Sequence, residues 1–423
     1  MRKMIIQRKA LIEGPELGKR KAYYVKRITL ILLIAFIASC SPRTAPVKKP
    51  QMPPVVVKPP PVREEPAARK RVSSMALVLP FELDKISSKT IQQKDITRAA
   101  LALDFYQGFK MALDSIAEKG NDFKLAVLDS RDNTPRAVAL SKVAAVKSSD
   151  IIIGPVFPDG IKAFSQTPDI KDKLQVSPLA AAMPSQFNNP KLVTLNNSID
   201  QHAWKLADFI GREYKPDAVN VIIVNPRKED DESFAAPVRS YLAAANGRRF
   251  AFTEVASVAG AETKLSSAKT NVMIIASDNS SLVLNGMSKL YARRQKNKIE
   301  VYGHPNWAKL KNLDIEKLQG LNTRITSSYY INYKSPEIIR FVVAYKVRYR
   351  TEPSEFAFKG FDTGFLFGSL LARYGKDYAK HLNGFKHNGL HNDFQFSYDP
   401  AIGYTNKNVM MLRYSGFELR VER

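Results

Sequence analysis

The side chains able to do chemistry are few and unevenly placed. Cys40 is the only cysteine among 423 residues, so an intrachain disulfide and Cys-type zinc sites are excluded. Five histidines occur, with His381, His387 and His391 close together. Three imidazoles can hold zinc, yet this spacing fits no standard ligand set, and the Asn and Gly around them read as a solvated loop. The run Glu229-Asp230-Asp231-Glu232 lacks the alternation of a calcium-binding loop. It precedes a helix expected from about Ser233, where carboxylates complement the positive end of the helix dipole. Asp231 and Glu232 are also candidates to meet a cationic ligand. No Gly-x-Ser-x-Gly elbow, no Walker loop and no His-Glu-x-x-His helix occurs, so the chain reads as a non-enzyme with no cofactor and no metal.

The setting of Cys40 assigns its thiol. A basic leader (Arg2 to Arg27) runs into an almost wholly apolar stretch, residues 28–39, which ends Ile37-Ala38-Ser39-Cys40. A membrane-spanning helix needs about 20 apolar residues, so this stretch fits a signal-peptide core instead. Its end resembles a lipobox. Small residues before the cut admit the signal peptidase, and the thiol takes a diacylglycerol, which leaves no free thiol for cysteine catalysis. The expected processing removes residues 1–39 and anchors the chain to a lipid bilayer through acylated Cys40. The leader is longer than such signals usually carry, which leaves the start codon open. Residues 40–74 then form a tether rich in Pro, Lys and Arg, with no hydrophobic period that could build a core. In extended polyproline geometry it reaches up to about 100 Å. No acidic cluster follows Cys40, so the anchor is expected to face the periplasm in the cell envelope, with the outer membrane favoured.

The whole chain carries a formal charge of +25. Residues 1–74 hold 17 of its 65 basic and 4 of its 40 acidic residues, so 75–423 keeps +12. That excess suits anionic partners in general, but no nucleic-acid-binding pattern accompanies it, and nucleic acid is not an expected partner.

Two series of short apolar strands and amphipathic helices make up the remainder. Strands are expected at Met75–Phe81, Phe123–Leu128 and Ile151–Ile153, then near 174–176 and 192–195, with helices at 98–119, 135–147 and 201–214. The pattern restarts with strands at Val219–Val224, Phe250–Val255, Val272–Ala276 and Ile299–Tyr302, and helices at 233–245 and 280–295. Helices at 336–349 and 360–374 follow, then strands at Asp393–Tyr398 and Val409–Tyr414. Near-continuous Val/Ile/Leu strands alternating with helices predict an α/β fold of two doubly wound parallel-sheet lobes.

Several segments, in order, resemble the type I periplasmic-binding-protein family, the leucine-binding-protein-like group. They are MALVLPF, DFYQGFKMALD, LDSRDNTPRAVALSKVAAVKSSDIIIGPVF, VSPLAAAMP, FAFKGFDTGFLFGSLL and NDFQFSYDPAIGYTNKNVMMLRYSGFEL, spread over most of 75–423. The resemblance implies two lobes joined by three crossings: 75–199 plus 333–392, and 200–332 plus 393–423. It also implies a ligand held between them at the carboxyl ends of the strands, where open α/β sheets bind ligands in general.

The resemblance places Phe81, Glu82, Phe157, Asp159, Ala180 and Ala181 at the cleft from the first lobe. From the second it places Asp231, Glu232, Asp278, Asn306 and Trp307. Amino-acid-binding members hold a carboxylate with hydroxyls in the later first-lobe loops and an ammonium with an acid after a second-lobe strand. Here the hydroxyl positions read Val156-Phe157-Pro158 and Ala180 to Ala182, and the acid position reads Asn306. A buried ammonium needs an anionic partner, so a free amino acid is not the expected ligand. Trp307 is placed to stack on a ligand, Trp204 reads as core, and Tyr329, Tyr330 and Tyr333 fall at a crossing. Two functions follow. One is a receptor that hands a small molecule to an ABC permease. The other is an envelope adaptor that kept the fold and engages a cell-wall synthase.

Overall fold

A computed structural model describes residues 72–86, 91–244 and 249–422. The expected signal segment, Cys40 and the tether up to residue 71 lie outside the described residues. No described helix is long and apolar enough to cross a membrane.

The first sheet starts with β1 (Val72–Leu79), β2 (Asp122–Asp129), β3 (Ile151–Ile153), β4 (Gln175–Ser177) and β5 (Leu192–Thr194). The second takes β6 (Val219–Val224), β7 (Phe252–Val255), β8 (Thr270–Ile275), β9 (Ile299–Gly303) and β10 (Arg324–Ser327). The chain returns for β11 (Lys386–Asn388), β12 (Asp393–Asp399) and β13 (Gly403–Asn406), and ends with β14 (Met410–Ser415) and β15 (Glu418–Val421). The described strands give an eight-stranded sheet, β11-β12-β13-β5-β4-β3-β1-β2, and a seven-stranded sheet, β15-β14-β10-β9-β8-β6-β7. All pairings among β1–β5 and among β6–β10 are parallel. The expected α/β architecture of two parallel-dominated sheets is therefore present.

The longer helices are α1 (Gln93–Ala117), α2 (Thr134–Ser141), α3 (Pro158–Ser165), α4 (Ile199–Glu213), α5 (Glu229–Ala244), α6 (Ser280–Arg293), α7 (Pro336–Tyr349) and α8 (Glu355–Tyr374). They cover both sheet faces, which is why the strands are apolar on both sides. Ile222, Val224, Met273 and Ile275 pack on one face of the second sheet, and Val221, Ile223, Val272 and Ile274 on the other. In the first lobe α1 and α8 touch backbone to backbone. A Cβ on Gly108 would lie 1.9 Å from the Ala357 carbonyl oxygen, and one on Gly360 would lie 2.0 Å from that of Phe105.

The closing strands correct one expectation. The expectation places all of 393–423 in the second lobe with 200–332. Instead β12 pairs with β13, and β13 adds in parallel to the edge of β5 through Tyr404–Val193 and Thr405–Thr194. Phe394 and Phe396 enter the first-lobe core on alternate residues. Only β14 and β15 belong to the second sheet, so the last crossing falls at 406–409. Two further expectations change. Trp204 is 41% exposed on α4 rather than core. The loop of His387 and His391 is not a solvated one: His391 is buried and stacks on Tyr329 at 4.0 Å, and half-buried His387 lies among Phe365, Phe385 and Phe394.

Two buried polar groups fix the crossings. The Asp362 carboxylate of α8 accepts the backbone N–H groups of Leu390, His391 and Asn392 at 2.7–2.8 Å. Asn406, fully buried at the end of β13, does more. Its amide donates to the carbonyls of Leu195 (3.1 Å) and Asp393 (3.2 Å) and accepts from the N–H of Gln395 (2.9 Å) and Asn408 (3.1 Å). Its backbone carbonyl accepts from Asn197 (2.9 Å) and Gln201 (2.8 Å) of the first crossing. Asn406→Ala removes the side-chain half of this network and strands buried donors and acceptors. It should cost about 2–4 kcal/mol in equilibrium urea unfolding. A loss below about 0.5 kcal/mol would mean that the amide is dispensable.

Candidate functional site

The carboxyl ends of β6, β8, β9 and β10 face a cavity of about 430 Å³ between the lobes. Each strand delivers polar groups through the loop that follows it. After β6, α5 begins at Glu229, four residues earlier than expected, so the acidic run forms its first turn. Asp230 and Asp231 then line the cavity. After β8 comes Asp278, which accepts the Asn306 amide at 2.8 Å. After β9 comes His304, whose Nδ1 accepts the Asn306 N–H at 3.2 Å and whose ring sits edge-on to Phe234. Thr326 and Ser327 end β10, followed by Ser328 and Tyr329. The opposite wall holds Ala181, Asn196, Asn197 and Lys359 of α8, while His202 of the second-lobe helix α4 lines the cavity near His304 and Ser328.

Charge in this cavity is unevenly satisfied. Lys359 is buried, which pulls its pKa down, while Glu355 at 2.8 Å holds it up. Its ammonium lies over the Tyr329 ring at 5.1 Å, and the Tyr329 hydroxyl donates to Glu355 at 2.9 Å. That cation is thus neutralised within the protein. Asp231 is the opposite case: it is 4% exposed, its Oδ2 is fully enclosed without a hydrogen-bond partner, and no basic group among the described residues ion-pairs with it. Burial pushes the pKa of His202 down to about 3, with His304 adding to the effect. Burial also lowers His304, against the pull of Asp278, Asp231 and Asp230. Both imidazoles are therefore neutral near pH 7. His202 Nε2 lies 3.0 Å from the Ser328 hydroxyl, and its Nδ1 has no partner.

The structure sorts the expected cleft residues. Ala181, Asp231, Asp278 and Asn306 do meet at the cavity. Trp307 does not offer a stacking face: it is fully buried in the second-lobe core and donates its indole N–H to the Ser277 carbonyl at 2.9 Å. Glu232 turns away, one residue round the helix, to Arg239 and Asn225. Phe81 packs in the first-lobe core against Tyr106, and Glu82 is buried against Lys85 (3.0 Å) and Arg98 (3.3 Å). Ala180 packs with Ile161, Phe187 and Leu192. Phe157 and Asp159 line a separate recess with Ser130 and Asp132. Sequence reasoning passed over His202, Asn197, Ser328 and Lys359. Only His202 carried a readable signal, as a polar group beside Ala203 and Leu206 on the buried stripe of α4.

The buried His202 makes stability depend on pH. Its folded value of about 3 lies below its ordinary 6.5, so the unfolded chain takes the proton first. The contribution is complete above pH 6.5 and is lost as pH falls from there towards 3. Lowering the pH from 6.5 to 5 should cost about 2 kcal/mol from this group. His202→Gln should flatten that slope in urea titrations; an unchanged slope would show that His202 titrates freely.

No protein-family model and no curated protein matches the sequence. Solved structures do match. A protein assigned as a branched-chain amino acid ABC transporter from Rhodospirillum rubrum superposes with a TM-score of 0.62 at 16% identity, over 83% of this chain and 100% of that one. The C-domain of LpoA from Haemophilus influenzae, a regulator of PBP1A, gives 0.56 at 13%, over 83% and 100%. An ABC transporter substrate-binding protein from Desulfitobacterium hafniense, in complex with Leu, gives 0.50 at 14%, again over 83% and 100%. With its two sheets, its crossings and its interlobe cavity, the chain has the type I periplasmic-binding-protein fold.

Proposed function

We propose that this chain is a lipid-anchored envelope protein that closes its two lobes on a small polar molecule other than a free amino acid. The observation that carries the reading is the interlobe cavity of about 430 Å³, a volume typical of small-ligand sites, with Asp231 unpaired in its wall. Exclusion of amino acids rests on the first-lobe side. The loops there bring Ala181 rather than hydroxyls, and Lys359 is already committed to Glu355. Among the described residues the one other cationic side chain lining the cavity is Lys309, which is exposed. Residues 1–39 act as the signal segment, Cys40 carries the lipid, and the tether, which ends where β1 starts at Val72, sets the reach of the domain from an outer-membrane leaflet. An ABC permease is the matching partner for a transport role, as in the substrate-binding proteins that share the fold.

A second reading, an adaptor for a cell-wall synthase, is favoured by α7. Ile339, Val343 and Val347 stand one above the other at four-residue spacing and are 50%, 55% and 64% exposed. Such an apolar stripe suits a protein contact. The LpoA C-domain, a regulator of PBP1A, gives the fold a precedent for that role.

Two measurements test these statements. Cys40→Ser should abolish acyl labelling and release the protein from membranes; labelling that persists refutes the anchor. Small-angle scattering of the intact chain should register lobe closure with a small molecule, and Val343→Asp should leave that closure unchanged. If Val343→Asp instead abolishes capture of a cell-wall synthase, and no small molecule induces closure, the adaptor reading replaces the receptor.

A further inference from the structure

We infer that the cavity selects an organic cation, an amine or guanidinium head that docks on Asp231 and carries no carboxylate of its own. The inference deepens the small-ligand reading and rests on it. Asp231 lines the cavity at 4% exposure, its Oδ2 is enclosed without a partner, and among the described residues no ion pair reaches the side chain. Removing a carboxylate from water without a partner is among the costlier things a fold can do. The cationic and amide donors nearby are occupied, and the neutral imidazoles of His304 and His202 line the cavity without a hydrogen bond to Asp231 Oδ2. The Asn306 amide goes to Asp278, and Arg239 goes to Glu232 and Glu254. Lys359 goes to Glu355 across the cavity.

The surroundings add charge of the same sign. Asp230 and Asp278 line the same cavity, and Asp278 Oδ2 lies 4.0 Å from the neutral His304 imidazole. Asp230 is exposed and Asp278 half-exposed, so the enclosed charge is that of Asp231, which a ligand offering only hydroxyl donors would leave unpaired and a cationic head offsets. Among the described residues no three His, Cys, Asp or Glu side chains meet in a metal-binding arrangement, so the donor set fits an ammonium or guanidinium better than a metal ion. Lys309, exposed at the cavity rim, can hold an anion only weakly through solvent. The facing wall adds Ala181, Asn196 and Asn197, which contribute shape and neutral hydrogen bonds rather than positive charge.

The test uses the intact chain, wild type and Asp231→Asn, with two sets of matched probes in calorimetry. One set is 3-methylbutylamine, leucine and 4-methylpentanoate; the other is glucosamine, glucose and gluconate. Expected is binding of an amine without binding of its neutral or carboxylate counterpart, and a loss of about tenfold or more in Asp231→Asn. The ligand-free variant should also melt at a higher temperature than wild type, because it no longer encloses an unpaired charge. Preferred binding of glucose, leucine, either carboxylate, or Ca²⁺ or Zn²⁺ added alone overturns the cation assignment while keeping the cleft reading. So does amine binding that survives Asp231→Asn, or a ligand-free variant that melts lower. Failure of all six probes to bind counts against the small-ligand reading itself.

Discussion

Everything between the lobes depends on how the crossings stay hydrogen-bonded where they are buried. Three backbone segments pass between two sheets, and a segment in passage has left one ladder without joining the next. Its N–H and C=O groups must be met by side chains or water. Asn406 meets them from one position, with two donors and two accepted bonds on its amide and two more on its carbonyl. An amide suits this place because it both donates and accepts and carries no charge to be desolvated. Asn392 and His202 extend the same arrangement to the second crossing by reaching the Ser328 carbonyl and hydroxyl.

Below the crossings the first lobe is stiff, and the reason is also steric. The close contact of α1 and α8 at Gly108 and Gly360 leaves no room for sliding. Asp362, on the same helix, grips residues 390–392 by three N–H bonds, and the carbonyl of His391 accepts the N–H of Tyr330. The second crossing is thus tied through one carboxylate to the closely packed α1–α8 pair. Any relative motion of the lobes must be absorbed in a few residues at 195–198, 328–333 and 407–409, which is where the cavity begins.

How much of this was legible in the sequence follows from which signals are local. Strand and helix alternation was legible because parallel strands buried on both faces leave uninterrupted Val/Ile/Leu runs, as at Val219–Val224. The sheet that receives Asp393–Asp399 was not, because alternation of Phe394 and Phe396 says that a strand has one buried face and not whose core it faces. The phase of α5 was missed by a start misplaced from Glu229 to Ser233. On a helix one residue turns about 100°, which separates the cavity-facing Asp231 from the outward Glu232. Trp307 misled for a different reason. Its ring lies against Gly303, where any Cβ would come within 2.4 Å of it, so the space that takes the indole is made by a missing side chain at the end of β9. His391 was illegible because Tyr329 meets it only through the second crossing, and Lys359 was missed because its helix was expected from 360, which left out its i,i+4 partner Glu355.

These constraints bear on why the cavity keeps an unpaired acid at all. The crossings are bonded largely among themselves, with Asn197 Oδ1, His202 Nδ1 and Asn408 Nδ2 left over, so closing offers only a few internal hydrogen bonds. The free-energy difference between open and closed lobes must then come from what enters the cavity, because a ligand shifts a conformational equilibrium only by its differential affinity for the two states. Asp231 is placed to supply that difference. Unpaired, it costs stability, and a cation that satisfies it between two walls that exclude water gains from the lowered dielectric there. Lys359 and Glu355, paired within one helix turn, contribute equally to both states and so cannot drive the motion. The asymmetry between the satisfied pair on one wall and the unsatisfied carboxylate on the other is what gives the cavity a direction of response.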